Sequence, residues 1–191
     1  MIVPVPKVAV ILAAGSSSRF VKGSKQVTPV RGRPMVAIAA QAALDAEAFV
    51  DVVVVWGAEP LDHLLPAGVR SVRNPDWESG QASSVQTGVG AARGVGAEAI
   101  VVGLADQPMV PAEAWRLVAG HPTDLPIVVA TYAGVRANPV RLHRSVWDDL
   151  PLTGDEGARV LMRERPDLVA AVACPGDATD VDTVEDLERW N

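Results

Sequence analysis

The chain has 191 residues, a length that suits one domain, and 49% of them are hydrophobic, enough to fill a large core and to exclude wholesale disorder. A formal net charge of −6 argues against a broad basic surface for nucleic-acid phosphates. Cys174 is the one cysteine, which excludes an internal disulfide and suits a reducing, cytoplasmic compartment, and no cysteine–histidine cluster suggests structural zinc.

Aromatic residues are only 4% of the chain, so the core must be built from Val, Ala, Leu and Ile, as in a parallel sheet covered on both faces. The first apolar run, Val8 to Ala14, is far shorter than the roughly 20 residues that span a bilayer. With Lys7 the only basic residue ahead of it and prolines at Pro4 and Pro6, it reads as a buried strand rather than a secretory signal. No other stretch suggests a membrane segment.

The strand Val8–Leu12 ends at Gly15 and three serines, and a helix is expected from Pro34 to about Phe49. Val52–Trp56 is the next strand, followed by a short helix from Pro60 to Leu65 and a brief strand from Val69 to Val72. A helix from Gly80 to Arg93 leads to a central strand, Ile100–Leu104, and then to a helix from Pro111 to Ala119. Ile127–Tyr132 is a strand that turns at Gly134 and returns near Val140 as a local antiparallel hairpin. Helices from Glu156 to Arg163 and Thr183 to Trp190 flank a last strand, Val169–Ala173. The alternation predicts an α/β fold: a three-layer, doubly wound, mostly parallel sheet with a small antiparallel addition, spanning 1–191 as a single domain. Ligands of such sheets bind beyond the carboxyl ends of the strands, which singles out the loops after Leu12, Trp56 and Leu104.

The first of these loops, Leu12-Ala13-Ala14-Gly15-Ser-Ser17-Ser-Arg19, has the small residues that let backbone N–H groups approach a phosphate. Arg19 and Lys25 add cations, with Lys22 a competitor for the second place. Neither the Walker spacing nor the Gly-x-Gly-x-x-Gly dinucleotide fingerprint is present. Downstream, Asn74-Pro-Asp-Trp77-Glu-Ser-Gly80 runs into Ser83 and Ser84 at the start of a helix, where N–H groups are expected free. Trp77 reads as packing. Asp106-Gln-Pro108 puts a carboxylate at the end of a buried strand, a place suited to magnesium and its oxygen ligands. Asp180 and Asp182 face the same way in an extended segment, while Glu185 and Asp186 suit the first turn of a helix capped by Thr183. His63, His121 and His143 fall in no pattern.

Taken in order, these segments resemble the nucleotidyltransferases related to the molybdenum-cofactor enzymes, the MobA-like family, and the Ala-Ala-Gly loop resembles its cytidylyl-transferring branch. The chain departs from the family pattern in placing Gly23 later after Arg19. The resemblance implies a Mg2+-dependent enzyme that moves CMP from CTP to a phosphorylated small molecule such as molybdopterin. It implies that Leu12, Ala13, Ala14, Gly15, Ser17, Gly80, Ser83 and Ser84 bind the nucleotide and that Arg19 and Lys25 neutralise its triphosphate. Asp106 is the implied metal ligand and catalytic carboxylate, with Asp180 or Asp182 as the second ligand and Asp180 preferred. Asn138-Pro-Val and Gly154-Asp155-Glu-Gly-Ala-Arg159 resemble two family segments at the acceptor pocket, with Arg159 the partner of the acceptor's phosphate. A molybdenum-containing oxidoreductase is the implied recipient. The alternatives are guanylyl transfer to another acceptor, an NADPH-using oxidoreductase on the same fold, and a non-catalytic accessory protein for molybdenum enzymes.

Overall fold

The computed structural model describes residues 5–15, 27–181 and 186. Its main sheet contains β1 (Lys7–Ala13), β4 (Asp51–Trp56), β5 (Val69–Arg73), β6 (Ala99–Leu104), β7 (Ile127–Tyr132), β8 (Val135–His143) and β9 (Val169–Ala173). Two short strands, β2 (Pro29–Val30) and β3 (Arg33–Pro34), form a separate antiparallel hairpin that the sequence did not advertise. The helices are α1 (Met35–Asp45), α2 (Gln81–Gly94), α3 (Ala112–Gly120) and α4 (Arg159–Glu164).

The seven strands run in the order β5-β4-β1-β6-β8-β7-β9. Neighbouring pairs are parallel except those made by β8, which is antiparallel to both β6 and β7. The hairpin expected from Ile127 to Val140 is therefore present, but its return strand is threaded into the sheet between β6 and β7 rather than added beside it. Strand β1 shows why the strands read as continuous apolar runs. Ala9, Ile11 and Ala13 enter one core with α1 and α3, while Val8, Val10 and Leu12 enter the opposite core with α2 and α4. On α2 the buried residues Ala82, Val85, Val89 and Ala92 recur at helical spacing and form the stripe that meets β1 and β4.

The winding places the site. The chain moves outward from β1 through α1 to β4 and β5, then returns by α2 to β6 on the other side of β1. The order of strands thus reverses between β1 and β6, and the crevice beyond their carboxyl ends is the ligand position of a doubly wound sheet. The Ala105 N–H donates to the Leu12 carbonyl (3.0 Å), tying the two strand exits together.

Two helices start later than the sequence suggests. Pro34 is the N-cap of α1, and Glu156 to Ala158 form a turn ahead of α4. Gly154 (φ 99°) and Gly157 (φ 52°) occupy the left-handed region there, which an α-helix cannot accommodate. The expected helix from Thr183 to Trp190 lies outside the described residues apart from Asp186, which is helical.

Candidate active site

Two cavities open at the carboxyl edge of the sheet and share a wall made by Leu12, Gln81 and Leu104. The first, about 440 Å³, is bounded by Ala14 and Gly15 on the β1 exit, Asp106 beyond β6, and Trp77, Gly80 and Ser84 on the approach to α2. The second, about 360 Å³, is lined by apolar side chains of β6, β7 and β8 and by Asn138, Arg136 and Arg159.

The wall from Asn74 to Ser84 is a latch built around one buried amide. Asn74 leaves β5 with its N–H on the Trp56 carbonyl (2.8 Å). Its Nδ2 donates to Ser83 Oγ (2.8 Å) and Ser84 Oγ (3.0 Å), and its Oδ1 accepts from the Asp76 N–H (2.9 Å). The Trp77 ring lies so close over Gly57 that a Cβ there would stand 2.5 Å from Trp77 Cγ. Gly80 turns the chain into α2 at φ 104°, and a Cβ on it would sit 2.5 Å from the Gly154 carbonyl and 2.7 Å from Asp155 Oδ1. This position demands glycine twice over, for its dihedral and for the space.

The same contact relocates part of the expected acceptor segment. Asp155 lines the first cavity beside Gly80, not the one that holds Asn138 and Arg159. The Gly154 carbonyl accepts from the Ala82 N–H (2.9 Å), so the 154 loop caps the start of α2. Ser83 also departs from expectation. Its N–H bonds the Gly80 carbonyl (3.2 Å) and its one hydroxyl proton has the carbonyls of Gly80 (2.8 Å) and Asp76 (3.0 Å) in reach, so those groups serve the turn instead of standing open to a ligand. Ser84, Leu12, Ala14, Gly15 and Gly80 do line the first cavity, and Ala13 is buried in β1 directly before it. Ser17, Arg19, Lys22 and Lys25 lie outside the described residues, as does Asp182.

Asp106 and Asp180, distant in sequence, are drawn to one place. The Val181 N–H donates to the Asp106 carbonyl (2.9 Å), and Gln107 Nε2 donates to Asp180 Oδ1 (2.8 Å) and to the Ala178 carbonyl (2.9 Å). Gly176 packs against Pro111, whose ring leaves no room for a Cβ there. The segment from Gly176 to Val181 is thus zipped along Asp106 to Pro111. Asp106 lines the polar cavity and the chain holds Asp180 beside it, and two such hard carboxylates would suit a divalent cation that also takes phosphate oxygens and water. Among the described residues no group of three or more His, Cys, Asp or Glu side chains is assembled.

The second cavity has features no motif announced. Arg136 from β8 joins Arg159 at its wall, and Glu156 and Arg163 stand there as an exposed bidentate pair (2.7 and 3.2 Å). The hydrogen bonds from Arg163 hold the Glu156 carboxyl below its usual range. Tyr132 donates its hydroxyl to the Asn138 carbonyl (2.9 Å), and its phenol is pushed above its ordinary range by burial first, then by Cys174 and Asp177 nearby. Arg136 and Gln81 were legible only as ordinary polar residues, because what marks them is the company of distant segments.

A switch-point crevice with a polar, glycine-turned cavity on one side and an apolar, arginine-rimmed cavity on the other can hold two ligands side by side, as a nucleotidyltransferase requires. The MobA-like NTP transferase domain matches residues 9–169, and the chain belongs to that family. It is 35% identical to the nicotine blue oxidoreductase of Paenarthrobacter nicotinovorans, with 94% of each chain covered. Among solved structures it is similar to Rv0371c of Mycobacterium tuberculosis H37Rv (TM-score 0.80, 27% identity, 98% of each chain). That protein is also known as a manganese complex (TM-score 0.76, 25% identity, 97% of each chain). Among the described residues no helix is long and apolar enough to cross a membrane.

Proposed function

We propose that this enzyme transfers CMP from CTP to a phosphorylated small molecule, with magnesium as its metal and a molybdopterin-type cofactor as the favoured acceptor. The observation that carries the reading is the pair of cavities meeting at Leu12, Gln81 and Leu104, with Asp106 on the first. A nucleotide in the first and an acceptor in the second would bring an acceptor phosphate and the α-phosphorus together across that shared wall.

In the proposed step an acceptor phosphate oxygen bonds to the α-phosphorus in line with the bridging oxygen to the β-phosphorus. That bridge breaks and pyrophosphate leaves. The chemistry asks little of a protein beyond positioning and charge neutralisation. The Ala14–Gly15 exit would offer backbone N–H groups to the phosphates, with Arg19 and Lys25 as the proposed cations. Asp106 and Asp180 would hold magnesium, with Asp182 the alternative second ligand, and the ion would neutralise charge on the phosphate oxygens. Arg159 and Arg136 would grip the acceptor's anionic group, with Asn138 beside them. Ala14 supports cytosine over a purine, because its methyl crowds the larger base. The solitary Cys174 and the need for CTP support a cytoplasmic enzyme that would hand its product to a molybdenum-containing oxidoreductase.

The test mixes protein, magnesium, labelled CTP and molybdenum-loaded pterin and measures pyrophosphate. Release is expected with CTP, and Asp106→Asn should lower it by more than about 100-fold. No pyrophosphate with any of the four ribonucleotides would overturn the reading. A second reading draws on the 35% identity to a protein called an oxidoreductase. Stabilisation by NADPH, and none by any nucleoside triphosphate, would favour it.

A further inference from the structure

Gln107 stands between Asp180 and Asn138, the latter in the wall of the second cavity. It is 4% exposed, and both N–H groups and the oxygen of its amide have partners. One N–H direction of Nε2 serves Asp180 Oδ1 (2.8 Å) and the other the Ala178 carbonyl (2.9 Å). Oε1 accepts from Asn138 Nδ2 at 3.3 Å. The amide cannot be turned round, because the Ala178 carbonyl only accepts and so must face the NH₂. Asn138 in turn lines the second cavity, and its backbone carbonyl accepts from the Tyr132 hydroxyl (2.9 Å).

We infer that Gln107 is a positioning residue that aims the Asp180 carboxylate at the cation site and ties that aim to Asn138 in the wall of the second cavity. The inference rests on the nucleotidyltransferase reading, in which Asp180 is a metal ligand. Asp180 comes from an extended segment with no regular structure of its own, so its carboxylate depends on side-chain partners for orientation. A donor amide suits this task chemically. It holds one carboxylate oxygen and leaves the carboxylate its charge, as partners behind a metal ligand generally do. A glutamate at 107 would present a like charge to Asp180, and a methionine would keep the shape without the hydrogen bonds.

The experiment measures manganese binding to the full chain in the presence of CTP, from the electron paramagnetic resonance signal of the free ion. Gln107→Met is expected to weaken manganese binding by about tenfold, and Gln107→Glu by at least as much. On an Asp180→Asn background, Gln107→Met should add less than about twofold, since the carboxylate it aims is already altered. Asn138→Ala, a change in the cavity wall, should weaken manganese in the same direction and non-additively with Gln107→Met. Thermal unfolding of each variant without ligand checks that it folds, and the shift with CTP in chelator should match that of the parent. Wild-type manganese affinity in Gln107→Met, or an equal loss on the Asp180→Asn background, overturns the inference while leaving the enzyme reading intact. A parent chain that takes up no manganese with CTP would instead sink the enzyme reading itself.

Discussion

Single side chains carry the tightest constraints in this site. Gly80 has a left-handed dihedral that costs other residues about 1–3 kcal/mol, and its missing Cβ is filled by the Gly154 carbonyl and Asp155. Gly80→Ala is therefore expected to lose at least about 2 kcal/mol of stability and most of its response to CTP, read by thermal unfolding with and without nucleotide. Tyr132 offers a cleaner reporter because it is the one tyrosine in the chain. Its burial raises the phenol above the ordinary value near 10. The folded state then keeps a proton that the unfolded state loses, so the stability associated with this group is intact below about pH 10 and declines as pH rises beyond it. Ultraviolet titration of the phenolate should lag in the folded protein and appear together with unfolding. A titration at the ordinary value with the fold intact would contradict this account. Asn74 makes the same point without titrating: a buried amide with three partners is a structural latch, and the wall of the first cavity depends on it.

At the scale of elements, α2 decides how near the wall of the first cavity comes to the sheet. Gly88 faces β1 so closely that a Cβ would lie 2.5 Å from Val10 Cγ1, whereas Gly90, two residues on and exposed, has nothing within 4 Å of a Cβ. Alanine is favoured over glycine inside a helix by about 0.5–1 kcal/mol, and overpacking a core costs about 1–3 kcal/mol. The second effect is larger where there is no room. Gly88→Ala should thus destabilise the protein and Gly90→Ala should stabilise it, by urea unfolding of the two variants side by side. Equal and opposite-to-expected shifts would mean α2 is not seated on β1 as described. The legibility of elements was uneven for a physical reason. Ile127–Tyr132 and Val169–Ala173 have the expected bounds because both, the first buried and the second a half-buried edge strand, are written as aliphatic runs between turn residues. The hairpin β2–β3 and the late start of α4 did not show, since the first has two-residue strands and the second depends on glycine dihedrals.

For the whole molecule, ligand binding should register as stability. A ligand that binds only the native state stabilises it by mass action, by about 2.7 kcal/mol at a hundredfold excess over its Kd. CTP with magnesium is expected to raise the unfolding temperature more than CTP alone, and Asp106→Asn should remove the magnesium-dependent part. A shift of the same size in that variant would take Asp106 out of the cation site. The fold makes this coupling global, because Gln107 and Val181 join the end of β6, where Asp106 lies, to the segment after β9.

The sequence by itself determined the α/β alternation, the loop after β1 and the candidate carboxylates Asp106 and Asp180. These are properties of residue type and local spacing, and local spacing is what a one-dimensional pattern records. Only the tertiary structure decided that β8 runs between β6 and β7, that Asp155 turns to the cavity beside Gly80, and that Ser83 is spent on its own turn. It also decided that Gln107 joins Asn138 to Asp180 across 31 and 73 residues of chain. Such pairings depend on which surfaces the chain can bury together and which buried polar groups must then find partners, and neither condition is set by neighbours in sequence.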